Sequence, residues 1–253
     1  MMKINILEDK HQLGIEAGRA AADLIRKTIS ENGFANVILA TGTSQFETLN
    51  QLISEDIDWG KVVMFHLDEY IGLPETARAS FRKYLKERFL DKVADLKSKH
   101  LIDGEKDAEP ECERLSDLIM SHPIDVALVG VGENGHLAFN DPPADFDTDK
   151  PYLIVDLDER CRAQQLAEGW FDSLEEVPRQ AISMSIKQIM KSKMIICSVP
   201  GSRKAVAVKN CLGKIVDNKY PASILKSHPS CFYYLDHASA SLLSPDIIKM
   251  IKV

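Results

Sequence analysis

Between Gly130 and Pro142 the chain reads Gly-Val-Gly-Glu-Asn-Gly-His-Leu-Ala-Phe-Asn-Asp-Pro. A histidine and, five residues later, an aspartate share this loop. That pairing suits a general acid/base, His136, oriented by a carboxylate such as Asp141. Gly130, Gly132 and Gly135 let the backbone turn sharply and leave its N–H groups open to a ligand. The preceding apolar run, Ile124–Val131, reads as a buried strand. Open α/β sheets bind ligands at the carboxyl ends of their strands, where this loop falls. The same stretch matches the dinucleotide pattern G-x-G-x-x-G, with Asp156 further on. That pattern requires a helix to begin within the glycines, and Asn140-Asp141-Pro142-Pro143 stops one, so dinucleotide binding is disfavoured.

Three further segments carry chemistry. Phe65-His66-Leu67-Asp68-Glu69-Tyr70 ends another expected strand. On extended backbone Asp68 and Glu69 point to opposite sides, so one faces the cleft while the other braces the loop. A carboxylate in a partly dry cleft removes a proton from carbon next to a carbonyl or imine. Ala40-Thr41-Gly42-Thr43-Ser44 lies between a strand and a helical pattern. Its amides, hydroxyls and helix dipole favour an anion, and Ser44 with Glu47 also fits a capping box. No Gly-Lys-Ser/Thr follows, which excludes a Walker A loop. Pro200-Gly201-Ser202-Arg203-Lys204-Ala205 places two cations at a helix start, which opposes the dipole unless an anion binds there.

The elements that must position these segments are short apolar runs alternating with amphipathic stretches. Expected strands are Ile4–Leu7, Val37–Ala40, Val62–Phe65, Ile124–Val131, Leu153–Asp156, Met194–Val199 and Cys231–Leu235. Helical patterns fall at Leu13–Ile29, Phe46–Ile53, Phe81–Phe89, Ile186–Met190 and Arg203–Leu212. Ser98–Pro110 reads as a polar surface connection. The fold class is therefore α/β: a Rossmann-like open sheet, mostly parallel, with helices on both faces, in a single domain over residues 1–253.

Composition is that of an ordinary globular chain, 45% hydrophobic and 27% charged. A net charge of −7 without a basic stripe argues against nucleic acid as a partner. The five scattered cysteines show no Cys-x-x-Cys or Cys-x-x-His spacing, so neither a metal site nor a disulfide framework is expected. No signal-like segment or membrane-length apolar run occurs, and the expected location is the cytoplasm.

In this order and spacing the four segments resemble the glucosamine-6-phosphate deaminase (isomerase) family, whose wider superfamily also holds 6-phosphogluconolactonase. Leu67-Asp68-Glu69-Tyr70 and the Gly130–Asn140 segment are the most specific parts, and Glu176–Ser183 and Gly201–Ala205 add support. The lactonase branch usually carries Asp-Glu-Arg where this chain has Asp68-Glu69-Tyr70, and it lacks the Ala138-Phe139-Asn140 continuation. The resemblance implies a cofactor-free enzyme that converts a hexosamine 6-phosphate to the ketose 6-phosphate and ammonia. It implies that Thr41, Gly42, Thr43, Ser44 and Lys204, with Glu69 and Gly135, hold the sugar phosphate. Asp68 would carry a proton between C2 and C1, and His136, backed by Asp141 and Asn134, would open the ring. A small-molecule sugar phosphate is the implied partner, and a homo-oligomer is compatible with the family.

Three positions depart from the family pattern. Asn134 stands where an aspartate is usual, Asp141 where a glutamate is usual, and Gln164–Phe171 lacks an arginine that touches phosphate. These departures lead to the expectation that galactosamine 6-phosphate is preferred over glucosamine 6-phosphate. The alternatives are a lactonase-type hydrolase, in which His136 activates water, and a non-catalytic sugar-phosphate sensor.

Overall fold

The computed structural model describes residues 3–251; Met1, Met2, Lys252 and Val253, at the ends of the expected domain, lie outside the described residues. The described strands are β1 (Lys3–Leu7), β2 (Ala35–Leu39), β3 (Val62–His66), β4 (Asp68–Tyr70), β5 (Ser98–His100), β6 (Val126–Val129), β7 (Tyr152–Asp156), β8 (Gln180–Met184), β9 (Met194–Val199) and β10 (Cys231–Asp236). The described helices are α1 (Lys10–Asn32), α2 (Phe46–Ser54), α3 (Phe81–Arg88), α4 (Ala108–Met120), α5 (Glu159–Ala167), α6 (Ile186–Met190), α7 (Ala205–Gly213), α8 (His237–Ala240) and α9 (Pro245–Ile251).

Seven strands form one parallel sheet in the order β5-β3-β2-β6-β9-β10-β1. The period of two along each strand divides the core into two layers. Ile38, Phe65, Ala127, Val129 and Cys197 pack with Leu115 and Ile119 of α4, Ile189 of α6 and Val208 of α7. Val37, Leu39, Met64, Leu128 and Ile196 pack with Leu13, Ala17, Ala21 and Ile25 of α1, Leu49 and Leu52 of α2, and Leu85 of α3. Helices thus cover both faces, as continuous apolar strands require. The α1 stripe starts at Asp9, whose carboxylate caps the His11 and Gln12 N–H groups, and stops at Gly33 in the left-handed region.

Two expectations need correction. Leu153–Asp156 does not join the main sheet: β7 pairs antiparallel with β8, which pairs antiparallel with β4. This small sheet tolerates a half-buried strand such as β7, because antiparallel sheets can leave one face toward water. Ser98–Pro110 is more than a connection, since it holds β5 and the start of α4. A three-residue polar edge strand carries no apolar signal because only one side of it is paired.

Candidate active site

The carboxyl ends of β2, β3, β6 and β9 are neighbours in the main sheet, so the loops that follow them meet. They line one cleft, open to solvent at the strand ends. From β2 the sheet grows toward β3, and from β6 toward β9. This reversal opens the crevice at the strand ends.

The cleft gathers groups that suit an anion. Thr41, Gly42, Thr43 and Ser44 all line it. Gly42 sits at φ 91, a conformation that side chains resist, and the chain then enters α2 through a 3-10 turn, Thr43–Gln45. That turn displaces Ser44 from the cap position, so the expected capping box with Glu47 does not form. The Ser44 hydroxyl accepts from Gln45 Nε2 at 3.2 Å, and Glu47 lies 3.1 Å from His11 Nδ1. The Tyr84 hydroxyl donates to the Gly42 carbonyl at 3.0 Å and holds the loop. A second 3-10 turn, Ser202–Lys204, follows β9 and brings Lys204 into the same cleft. Lys204 is 7% exposed, and its ammonium has no hydrogen-bond or ionic partner among the described residues. Burial pushes its ammonium down, against the opposing charges of Glu168 and Glu133. Arg203 turns outward instead and meets Glu133 at 3.2 Å.

The same cleft also holds two titratable groups, Asp68 and His136. Asp68 begins β4, and its register against Ser183 fixes which way it points. It lines the cleft, is 6% exposed, and leaves Oδ1 buried with no hydrogen-bond partner. Burial, with the charge of Glu69 second, pushes its carboxyl up to about 8. Glu69 points the opposite way and does not line the cleft. Its two oxygens accept from the backbone N–H groups of Tyr70, Phe81 and Arg82, the Ser80 hydroxyl and Arg82 Nε. Glu69, expected among the substrate-binding residues, thus lies outside the cleft lining and ties β4 to the start of α3.

His136 lines the cleft with its ring laid on Gly132, where an added Cβ would stand 2.2 Å from Nε2. Its Nδ1 lies 2.9 Å from Asp141 Oδ1, and its backbone N–H donates to Asn134 Oδ1. Asn134 Nδ2 donates to Asp141 Oδ1 at 2.9 Å, and the Asp158 N–H donates to Oδ2 at 3.1 Å. Burial raises the Asp141 carboxyl, but the His136 hydrogen bond and charge, with Asn134 and Asp158, hold it below the usual carboxylate range. Asp141 and Asn134 thus stand behind His136 rather than in the cleft lining. Gly135 is also outside it: its φ of 91 makes the turn, and its carbonyl accepts from the Ala222 N–H. No helix begins in the Gly130–Gly135 loop, so the dinucleotide geometry is absent. His136, Asp141 and Cys161 place one ligand atom each within 4.8 Å of one another. Burial, followed by the charge of Asp141, pushes the Cys161 thiol far up, which keeps it a protonated thiol.

The cover of the cleft was not assigned residue by residue from sequence. Gln164, Gln165 and Glu168 of the α5 segment line it, with Phe81 and Phe139. A small core of Tyr70, Phe81, Phe139, Leu157, Cys161 and Phe171 seats this segment, with the Phe81 and Phe139 rings stacked at 5.6 Å. Glu168 accepts from the Thr43 hydroxyl at 3.3 Å and from Gln164 Nε2 at 2.8 Å. From sequence no helix is expected over Glu159–Ala167; the packing of α5 against this aromatic core turns those side chains toward the cleft.

An unpaired lysine beside a Gly-Thr turn, a buried carboxylate and a histidine backed by an aspartate meet in one cleft of an open α/β sheet, an arrangement suited to an enzyme acting on a small molecule. The chain belongs to the family of glucosamine-6-phosphate isomerases and 6-phosphogluconolactonases, whose model matches residues 8–233. A glucosamine-6-phosphate deaminase of Listeria monocytogenes serotype 4a (strain HCC23) is 36% identical over 230 residues, 90% of this chain and 96% of that protein. One from Lactococcus lactis subsp. cremoris (strain SK11) is 36% identical over 246 residues, covering 96% of this chain and all (100%) of the relative. Among solved structures, a monomeric glucosamine-6-phosphate deaminase superposes with a TM-score of 0.86 at 31% identity, over 95% of this chain and 100% of the other. A 6-phosphogluconolactonase from Thermotoga maritima shares the fold, with a TM-score of 0.77 at 17% identity over 93% of this chain and 100% of that one.

Proposed function

We propose that this chain isomerises and deaminates a hexosamine 6-phosphate, releasing ammonia and a ketose 6-phosphate. The observation that carries the reading is Asp68: a carboxylate buried in the cleft, with an unpartnered oxygen, across from an unpaired Lys204 and the Thr41–Ser44 loop. In this reading the loop and Lys204 hold the phosphate, and that remote binding orients the reacting carbons. His136, held by Asp141, moves the proton that opens the sugar ring. Asp68 takes the proton from C2 and returns it to C1. The product is an imine at C2; water adds there and ammonia leaves. A base positioned in this way contributes on the order of 10²–10⁴ in rate.

A lactonase would need His136 to activate water but gives Asp68 no proton to carry, so the buried carboxylate favours deamination. The close relatives, named as glucosamine-6-phosphate deaminases, support the same reading. Asn134 and Asp141, on which the expected galactosamine preference rested, lie outside the cleft lining, so neither gives a physical basis for choosing the C4 epimer. We read residues 1–253 as one catalytic unit, with the loops after β2, β3, β6 and β9 on a single cleft. The five cysteines are free and buried, in keeping with a cytoplasmic location, and no helix among the described residues is long and apolar enough to cross a membrane.

The test is ammonia release from glucosamine 6-phosphate and galactosamine 6-phosphate beside acid release from 6-phosphogluconolactone. Ammonia release that vanishes in Asp68→Asn supports the proposal. Acid release alone refutes it.

A further inference from the structure

Gln165 stands out among the cleft-lining side chains. It sits on α5, faces the cleft and is 7% exposed. Its side-chain amide has no hydrogen-bond partner among the described residues, while its neighbours on the same helix are spent. Gln164 accepts from the Glu133 N–H and donates to Glu168, and Glu168 also accepts from Thr43 and Trp170. A side-chain amide at the cleft with one acceptor and two donors left unused by the fold is free to hydrogen-bond a ligand.

Resting on the hexosamine-phosphate reading above, we propose that Gln165 is a specificity-determining residue that hydrogen-bonds the secondary hydroxyls at C3 and C4 of the sugar. The remaining polar groups of such a substrate are already claimed. The phosphate goes to Thr41–Ser44 and Lys204, and C1, C2 and the ring oxygen go to Asp68 and His136. The hydroxyls at C3 and C4 lie between those ends. One carboxamide, donor on one side and acceptor on the other, matches a vicinal pair of hydroxyls. A site that hydrogen-bonds a substrate hydroxyl discriminates strongly against the analogue that lacks it, because its own buried group is then unpaired.

The experiment compares wild type, Gln165→Leu and the conservative Gln165→Asn on glucosamine 6-phosphate, galactosamine 6-phosphate and the 3-deoxy and 4-deoxy forms of glucosamine 6-phosphate, with ammonia release and thermal melting as readouts. Gln165→Leu should lower kcat/KM about 10- to 100-fold on the hydroxylated substrates. The loss should shrink to within about twofold on the deoxy form that lacks the hydroxyl being read, with Gln165→Asn intermediate. Which deoxy form is insensitive tells whether C3 or C4 is read, and sensitivity at C4 makes Gln165 the reader of the epimer. An equal loss on every substrate, or no loss, overturns the assignment while leaving the deaminase reading intact. If Gln165→Leu does not fold, the same comparison is made with Gln165→Asn. A wild type that releases no ammonia from any hexosamine 6-phosphate overturns both.

Discussion

Replacing Asp68 by asparagine should cripple the enzyme and stabilise the protein. Burial, with Glu69 behind it, lifts this carboxyl from 3.8 to about 8. In the unfolded chain the group ionises near 3.8, whereas in the fold it stays protonated until about pH 8. Below the lower value both states are protonated and Asp68 costs nothing. Between the two, folding is opposed by about 1.4 kcal/mol for each pH unit, and above the upper value the penalty levels off. At pH 7, 3.2 units above 3.8, the penalty is about 4 kcal/mol. Asparagine cannot ionise and removes it. Wild type and Asp68→Asn should therefore be equally stable near pH 4, and the variant should gain steadily toward pH 8. At about 2–4 °C per kcal/mol for a chain of this size, the melting temperature at pH 7 should rise by roughly 10 °C. Catalysis should move the other way. Only the ionised form can accept the C2 proton, so wild-type kcat/KM should climb toward pH 8, and the variant should lose about 10²–10⁴ in kcat. Chemical denaturation from pH 4 to 8, paired with ammonia release, tests both halves. A stability difference that does not change with pH, or a variant that keeps its rate, would refute the reasoning.

Three other substitutions probe the frame. Gly132→Ala puts a methyl 2.2 Å from His136 Nε2, so the ring must swing out of the cleft. Ammonia release should fall at least ~100-fold while the overpacking costs only about 1–3 kcal/mol by denaturant titration. Lys204→Met should raise KM for the phosphorylated sugar on the order of 100-fold in steady-state assays, without loss of stability, because it removes a buried ammonium that has no partner in the fold. Arg82→Met strips the cation from buried Glu69, which it meets at 3.3 Å, and should destabilise the fold by about 3–5 kcal/mol in a thermal or urea melt.

The sequence by itself determined the open α/β architecture. Runs such as Val62–Phe65 and Met194–Val199 are apolar without alternation, and a run of that kind is stable only when both faces are buried. It also put Gly, Thr, Asp and His right after such runs, at strand ends, where they line one cleft. Opposite directions for Asp68 and Glu69 followed from the strand period alone. What that period leaves open is which of the pair faces the cleft. The antiparallel register of β4 on β8 and the ring of donors around Glu69 made that choice. Tertiary structure alone also drew Asn134 and Asp141 behind His136, set aside the Ser44 cap for a 3-10 turn, and swung Gln165 and Glu168 of α5 over the anion loop. Periodicity and propensity are properties of neighbours along the chain. The direction of a side chain in a cleft depends on residues a hundred positions away, and only packing brings those together.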